Sequence, residues 1–275
     1  MEFLIAPFEV SFVARALLAG CLATILCACV GTWVILRGLA FFGHALSHGM
    51  LPGVAIAALL GGNLLVGAVA SAMAMAAGVA WVTKESRLSQ DVGIGLLFVG
   101  MLALGVVLVS HSRSLAVDLT AFLLGDILGV RSSDLAALAI SAALGAAACL
   151  VLHRPFMALS FDERIAATLR LRPRWAHLAM LALTGLATVA SFQIVGTLLV
   201  FGLLIGPPAT AALLFSRVRS IMLAAAALGT ILTYAGLLIS WYAETAAGAT
   251  IALLTVLTFF VTLLGKRCII AFVRH

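Results

Sequence analysis

Hydrophobic and charged positions alternate along this chain in long blocks rather than with the short period of a globular helix or strand. Residues 16–36 carry no Lys, Arg, Asp or Glu except at the flanks. Residues 38–83 carry none at all, and Gly61-Gly62-Asn63 divides that interval into two. Residues 92–110 and 135–152 give one block each. Residues 175–216 are again of double length, with a turn expected near Ser191-Phe192-Gln193, and residues 220–242 and 245–265 follow. A bilayer-crossing helix needs about 20 mainly apolar residues. The blocks therefore predict an all-α, polytopic transmembrane bundle of about nine spans, forming a single domain over 1–275.

Charge then orients the bundle. Arg37, Lys84 with Arg87, the arginines of 154–174, Arg217 with Arg219, and Lys266 with Arg267 all fall on one side if the spans alternate. Cytoplasmic loops are enriched in Lys and Arg, so these belong inside, with the N-terminus outside. The overall composition agrees: 64% of the 275 residues are hydrophobic and 9% charged, whereas soluble domains carry roughly 25% charged residues. The net charge of +6 is this inside cluster, and not a nucleic-acid footprint. The start of the chain lacks a basic region before its apolar residues, so no cleavable signal peptide is expected.

Two connectors are not plain spans. The outer one, 111–134, holds Asp118, Asp126 and Asp134 around a short apolar piece at 119–124, which predicts a re-entrant or interfacial helix. Its acids are candidates for docking a partner that carries basic groups, or for attracting cations. The inner one, 153–174, contains Ser160 and Glu163 at capping-box spacing. It predicts a short amphipathic helix that begins there and stops at Pro173. Such a helix is either a connector on the headgroups or a coupling element for a cytoplasmic motor.

The stretch from Gly38 to Gly53 is the richest in chemistry. His44 and His48 are four residues apart, on one helical face, so both imidazoles can reach one ion. Ionisable side chains inside a span are expensive and face a path or a partner. Gly43, Ser47 and Gly49 are small enough for close helix approach. Pro52 is expected to free carbonyls one turn later, and Pro207-Pro208 to interrupt a later span, where transporters often place substrate. Residue 45 is Ala, so HExxH is absent, and no phosphate loop GxxxxGK[ST] occurs. Any ATPase is therefore a separate polypeptide. Of the five cysteines, Cys27 and Cys29 lie on nearly opposite helix faces; all five (with Cys21, Cys149 and Cys268) are expected to be buried thiols.

At these residues the chain resembles the zinc/manganese permease family of bacterial ABC transporters. The likeness rests on residues 36–55 through Gly43-His44-Ala45-Leu46-Ser47-His48-Gly49, and on Leu124-Gly125-Asp126-Ile127-Leu128-Gly129-Val130. Ser160-Phe161-Asp162-Glu163 with Ala166 and Leu169, and Val195-Gly196-Thr197 to Pro207-Pro208-Ala209, carry the rest. The resemblance implies a homodimeric permease in the bacterial plasma membrane. Its partners would be two cytoplasmic ATPase subunits, docked on Phe161, Asp162, Glu163 and Leu169, and an extracellular metal-binding protein. It implies no enzymatic activity of its own and no permanent cofactor. The family's metal site usually has Asp followed by His four residues on; His48 matches that His, and His44 stands where Asp is usual. Two neutral nitrogens favour Zn²⁺ over Mn²⁺, so zinc is the expected cargo and manganese the alternative. A metal-chelate permease, an intramembrane hydrolase and a secondary carrier are rivals without a matching feature.

Overall fold

The computed structural model describes residues 2–85, 89–110 and 127–273. Thirteen α-helices run through them: α1 (Glu2–Glu9), α2 (Ser11–Leu36), α3 (Ala40–Gly49), α4 (Leu51–Leu59), α5 (Leu64–Glu85), α6 (Gln90–Ser110), α7 (Ser132–Val151), α8 (His153–Phe161), α9 (Glu163–Thr168), α10 (Pro173–Val195), α11 (Thr197–Leu214), α12 (Val218–Ala243) and α13 (Ala247–Val273). A 3₁₀ turn, Ile127–Gly129, precedes α7. Among the described residues nine segments are long and apolar enough to cross a membrane, α3 and α4 counting together as one. The block pattern thus converts directly into spans, and the all-α bundle holds.

Helix α2 is the spine. It packs on α7, α10, α11 and α12, and Ala16, Ala19, Ala23, Leu26, Val30 and Val34 along it are sealed from the outside. A second group, α3 to α6, is joined to the spine chiefly through α10. Close helix approach in lipid depends on small residues, and here it does so visibly. A methyl group on Gly53 would overlap the carbonyl oxygen of Gly67, and one on Gly67 would overlap that of Gly53. The α4–α5 crossing is therefore backbone against backbone.

Five local expectations are corrected. The turn in the double-length block lies at Gly196 (φ 83°, ψ 160°), not at 191–193: Ser191 and Phe192 are buried inside α10, and a side chain tolerates that φ poorly. Helix α11 runs unbroken through Pro207 and Pro208. The helix of the inner connector begins at Asp162, whose backbone is extended and whose Oδ1 accepts the Arg164 N–H at 2.7 Å. Ser160 instead lies in the last turn of the preceding helix, donating to the Phe156 carbonyl at 2.8 Å. Pro173 does not stop that helix, which ends at Thr168; it opens α10, where a missing N–H costs nothing. The cysteines are also less uniform than expected: Cys27 and Cys149 are buried, Cys21 and Cys29 partly so, and Cys268 is exposed.

Asp118, Asp126 and the apolar piece at 119–124 lie outside the described residues. Asp134 is in the first turn of α7, where its Oδ2 accepts the Arg131 N–H at 3.1 Å and caps the span. The basic ends gather as the positive-inside pattern requires. Arg37 Nη1 donates to the Leu159 carbonyl at 2.7 Å, tying the inner end of α2 to α8. Lys266 does the same from α13 to the Leu213 carbonyl at the end of α11.

Candidate functional site

His44 and His48 lie one turn apart on α3, both half-buried. Their ring centroids are 5.1 Å apart and the planes meet at 75°. By the 1.5 Å rise of a helix, they sit about 6 and 12 Å from the inner end of a span that crosses a core of about 30 Å. The pair lies in the half of that span nearer the basic end of the bundle.

An aromatic collar surrounds it. Phe98 of α6 lies 6.2 Å from His44 and 5.6 Å from His48, Phe201 of α11 lies 5.0 Å from His44, and Phe41 lies 6.4 Å from His44. Helices α6 and α11 thus wall the histidines from two sides. Gly43 lets α11 approach, since a methyl there would press the Leu204 side chain at 2.7 Å; Gly49 does the same for α5, where a methyl would overlap Met75. Sequence reasoning missed the collar. Phe98 and Phe201 stand in uniformly apolar blocks, where nothing in their spacing separates a site wall from lipid-facing bulk.

At Pro52 the chain bends its hydrogen bonding without unwinding. Met50 joins α3 to α4 with φ −76° and ψ −22°, and its N–H still reaches the Leu46 carbonyl at 3.1 Å. The Ser71 hydroxyl of α5 donates to the Gly49 carbonyl at 2.7 Å. One carbonyl beside the histidines is therefore held by a side chain instead of the helix ladder.

No cluster of three or more His, Cys, Asp or Glu able to hold a metal occurs among the described residues. Among the described residues the pair stands as two imidazoles without a third such group beside them. Ser47, the nearest hydroxyl, is buried and faces back to the Gly43 carbonyl at 3.5 Å. It has neither the base geometry nor the acid that a nucleophile needs.

On the inner face, Phe161 is 78% and Leu169 59% exposed, an apolar pair at the surface of a charged segment. Both line one cavity of about 540 Å³ with Met157, Ala158 and Leu171. Phe161 also borders a cavity of about 750 Å³ that runs to Arg217 and Arg219 at the start of α12. Asp162 is exposed beside them, acting as the α9 cap, and Glu163 is the first residue of α9. His153 opens α8 with its ring 5.4 Å from Trp33. Burial, and then the Arg219 guanidinium, hold its imidazole below the ordinary histidine range.

The described residues thus form a bundle of nine membrane-length helices with two imidazoles set into one of them. The chain belongs to the ABC 3 transport family, which matches residues 9–266. It is a permease subunit, not an enzyme, and a multi-pass protein of the bacterial inner membrane. It is 35% identical over 264 residues to the manganese transport system membrane protein MntC of Listeria innocua, covering 96% of this chain and 94% of that one. It is 33% identical to the manganese import system permease protein ScaB of Streptococcus gordonii, over 95% and 94% of the two chains. A probable iron transport system membrane protein of Haemophilus influenzae is 31% identical over 96% and 93%. Among solved structures, PsaBC from Streptococcus pneumoniae in complex with Fab superposes with a TM-score of 0.82 at 29% identity, over 94% of each chain.

Proposed function

We propose that this chain is the membrane-spanning subunit of an ATP-driven importer of a divalent transition metal, with manganese as its cargo and His44 and His48 as its ligands in the membrane. The imidazole pair inside an otherwise apolar span carries the reading. The names of the full-length relatives support manganese over the zinc that two nitrogens alone would favour. The chemistry is compatible with both ions. Manganese stands at the weak end of the divalent series with nitrogen ligands, so a two-imidazole site holds it loosely. Passage requires that: a site must bind well enough to admit an ion and weakly enough to release it. The phenylalanine collar keeps bulk water away while the ion exchanges hydration for imidazole. A second copy of the chain would supply further ligands across the path, and an extracellular binding protein would hand over the ion.

Radiotracer uptake of manganese, zinc and iron(II) in cells lacking other importers tests this. The His44→Ala, His48→Ala double variant should lose more than about tenfold of its manganese uptake, since even the partners of metal ligands are worth that much. His44→Asp should keep transport and raise the manganese-to-zinc ratio. Full uptake by the double variant would remove the pair from the path. Zinc outrunning manganese in the unaltered protein would favour the zinc reading, whose specific support is the lack of a described carboxylate beside the imidazoles.

The segment α8–α9 is the proposed docking point for the ATPase, in the helix-in-groove manner, through Phe161, Asp162, Glu163 and Leu169. Phe161→Ala with Leu169→Ala should weaken the ATPase complex by about 2 kcal/mol or more, a hot-spot loss, without changing membrane insertion. Unaltered co-purification and uptake would reduce this segment to a connector.

A further inference from the structure

Between the inner ends of α7 and α10 lies a cavity of about 380 Å³ that the transport reading does not use. Arg170, Arg172 and Trp175 line it, with Leu152, Pro155 and Leu171. Arg170 (φ 53°) and Arg172 (φ 46°) both take the left-handed backbone, a conformation side chains avoid and that is kept where something over-determines it. The loop is pinned there by Arg170 N–H to the Ala167 carbonyl and Leu171 N–H to the Ala166 carbonyl, both 3.0 Å. Neither guanidinium forms an ion pair among the described residues.

The depth of the cavity is fixed by its neighbours. The span of α7 ends at Val151 and that of α10 starts at Pro173, so the cavity sits where hydrocarbon gives way to headgroups. It opens outward from the bundle: Leu150 is 72%, Val151 79% and Trp175 68% exposed. Tryptophan at this level is the usual interfacial anchor. Guanidinium groups match phosphate with paired donors, and basic pockets between spans on the cytoplasmic side suit anionic headgroups.

We propose that this cavity binds one anionic phospholipid of the inner leaflet, its phosphate between Arg170 and Arg172 and its glycerol and chains against Trp175 and the exposed face of α7. Charge complementarity and continuity with the lipid-facing surface select the lipid over a soluble anion. The volume fits a headgroup and not a macromolecule. Leu171 borders both this cavity and the one holding Phe161 and Leu169, so the bound lipid abuts the cytoplasmic docking surface.

The test is native mass spectrometry of the complete transporter released from detergent containing equal phosphatidylglycerol and phosphatidylcholine. Each arginine near a membrane surface favours an anionic lipid about fivefold, so phosphatidylglycerol should be retained on the order of twentyfold better. Arg170→Gln with Arg172→Gln should bring the two lipids close to parity. Arg154→Gln with Arg164→Gln, which removes the same charge from the same segment outside the cavity, should leave the preference intact. Excess inorganic phosphate should displace nothing. A second measurement needs no arginine change: phosphatidylglycerol with brominated chains should quench indole fluorescence more than brominated phosphatidylcholine, and Trp175→Phe should abolish the excess. Equal retention of the two lipids, an equal fall in both arginine pairs, displacement by phosphate, or excess quenching that survives Trp175→Phe would each overturn the site.

Discussion

Two spans of this permease carry proline in their middle, and they put it to different use. In the α3–α4 span, Pro52 accompanies a change of hydrogen bonding beside His44 and His48, and Ser71 of a neighbouring helix takes over the Gly49 carbonyl. In α11, Pro207 and Pro208 leave the helix continuous. Pro208 has no N–H to offer the Leu204 carbonyl. That oxygen faces Gly31 of the spine so closely that a methyl there would overlap it. One proline thus sits beside the proposed metal ligands; the other pair serves a helix crossing. Proline in an apolar block marks an irregular backbone, and only the side chains around it say whether the irregularity faces a path or another helix.

The comparison is broken most severely at Gly31. Gly31→Ala must push the Leu204 backbone aside, and overpacking of this kind costs about 3 kcal/mol. Thermal unfolding of the purified protein should show a large loss, with poor yield. Gly95→Ala, where a methyl meets nothing within 4 Å, should change stability by less than about 0.5 kcal/mol. Equal stability of the two variants would mean that α2 and α11 do not meet as described.

A sharper version compares the prolines themselves. Pro52→Ala returns an N–H to the His48 carbonyl and resets the helix under both imidazoles. Uptake should fall on the order of tenfold, since small displacements of a ligand constellation have such effects, while stability holds. Pro208→Ala should change uptake less than about twofold. A reversed order would move the path from α3 to α11.

The smallest effect is expected at the inner end of the same spine, where His153 meets Trp33. Its folded pKa is lowered, so between that value and the ordinary histidine value the unfolded chain binds more protons than the folded one. Stability from this contact is full above about pH 6.5 and declines as pH falls through that window. Thermal unfolding of His153→Gln should lose this part of the pH dependence. An unchanged slope would assign the acid sensitivity elsewhere.

The number of spans, their order and the histidine pair are legible in the sequence because each follows from a property the bilayer enforces on one segment at a time. Length and lack of charge define a span; an ionisable pair inside one is costly enough to stand out. What is not legible depends on two segments at once. The collar of Phe98 and Phe201 comes from α6 and α11, and the Gly31–Leu204 contact from α2 and α11. The turn at Gly196 lies three to five residues, and the cap at Asp162 two residues, beyond the positions the sequence predicts, because several residues nearby have similar turn or cap chemistry. Only packing chooses among them. The cargo is not legible for a related reason: ligand type ranks affinities, whereas a transporter is selected for release as much as for binding.

The central place of α2 bears on how the protein is made. It leaves the ribosome first among the spans, yet two of the helices that bury it are α11 and α12. About 180 residues separate Leu36 from Val218. At about 5–20 residues per second of synthesis, the spine waits roughly 10–40 s with its glycine- and threonine-bearing face uncovered. During that interval α7 and α10 can cover α2 but its α11–α12 face stays open, exposed to insertion factors and membrane proteases. A chain halted before Gly196 should never leave that condition, so quality control can sort complete from incomplete permease by whether α2 is covered.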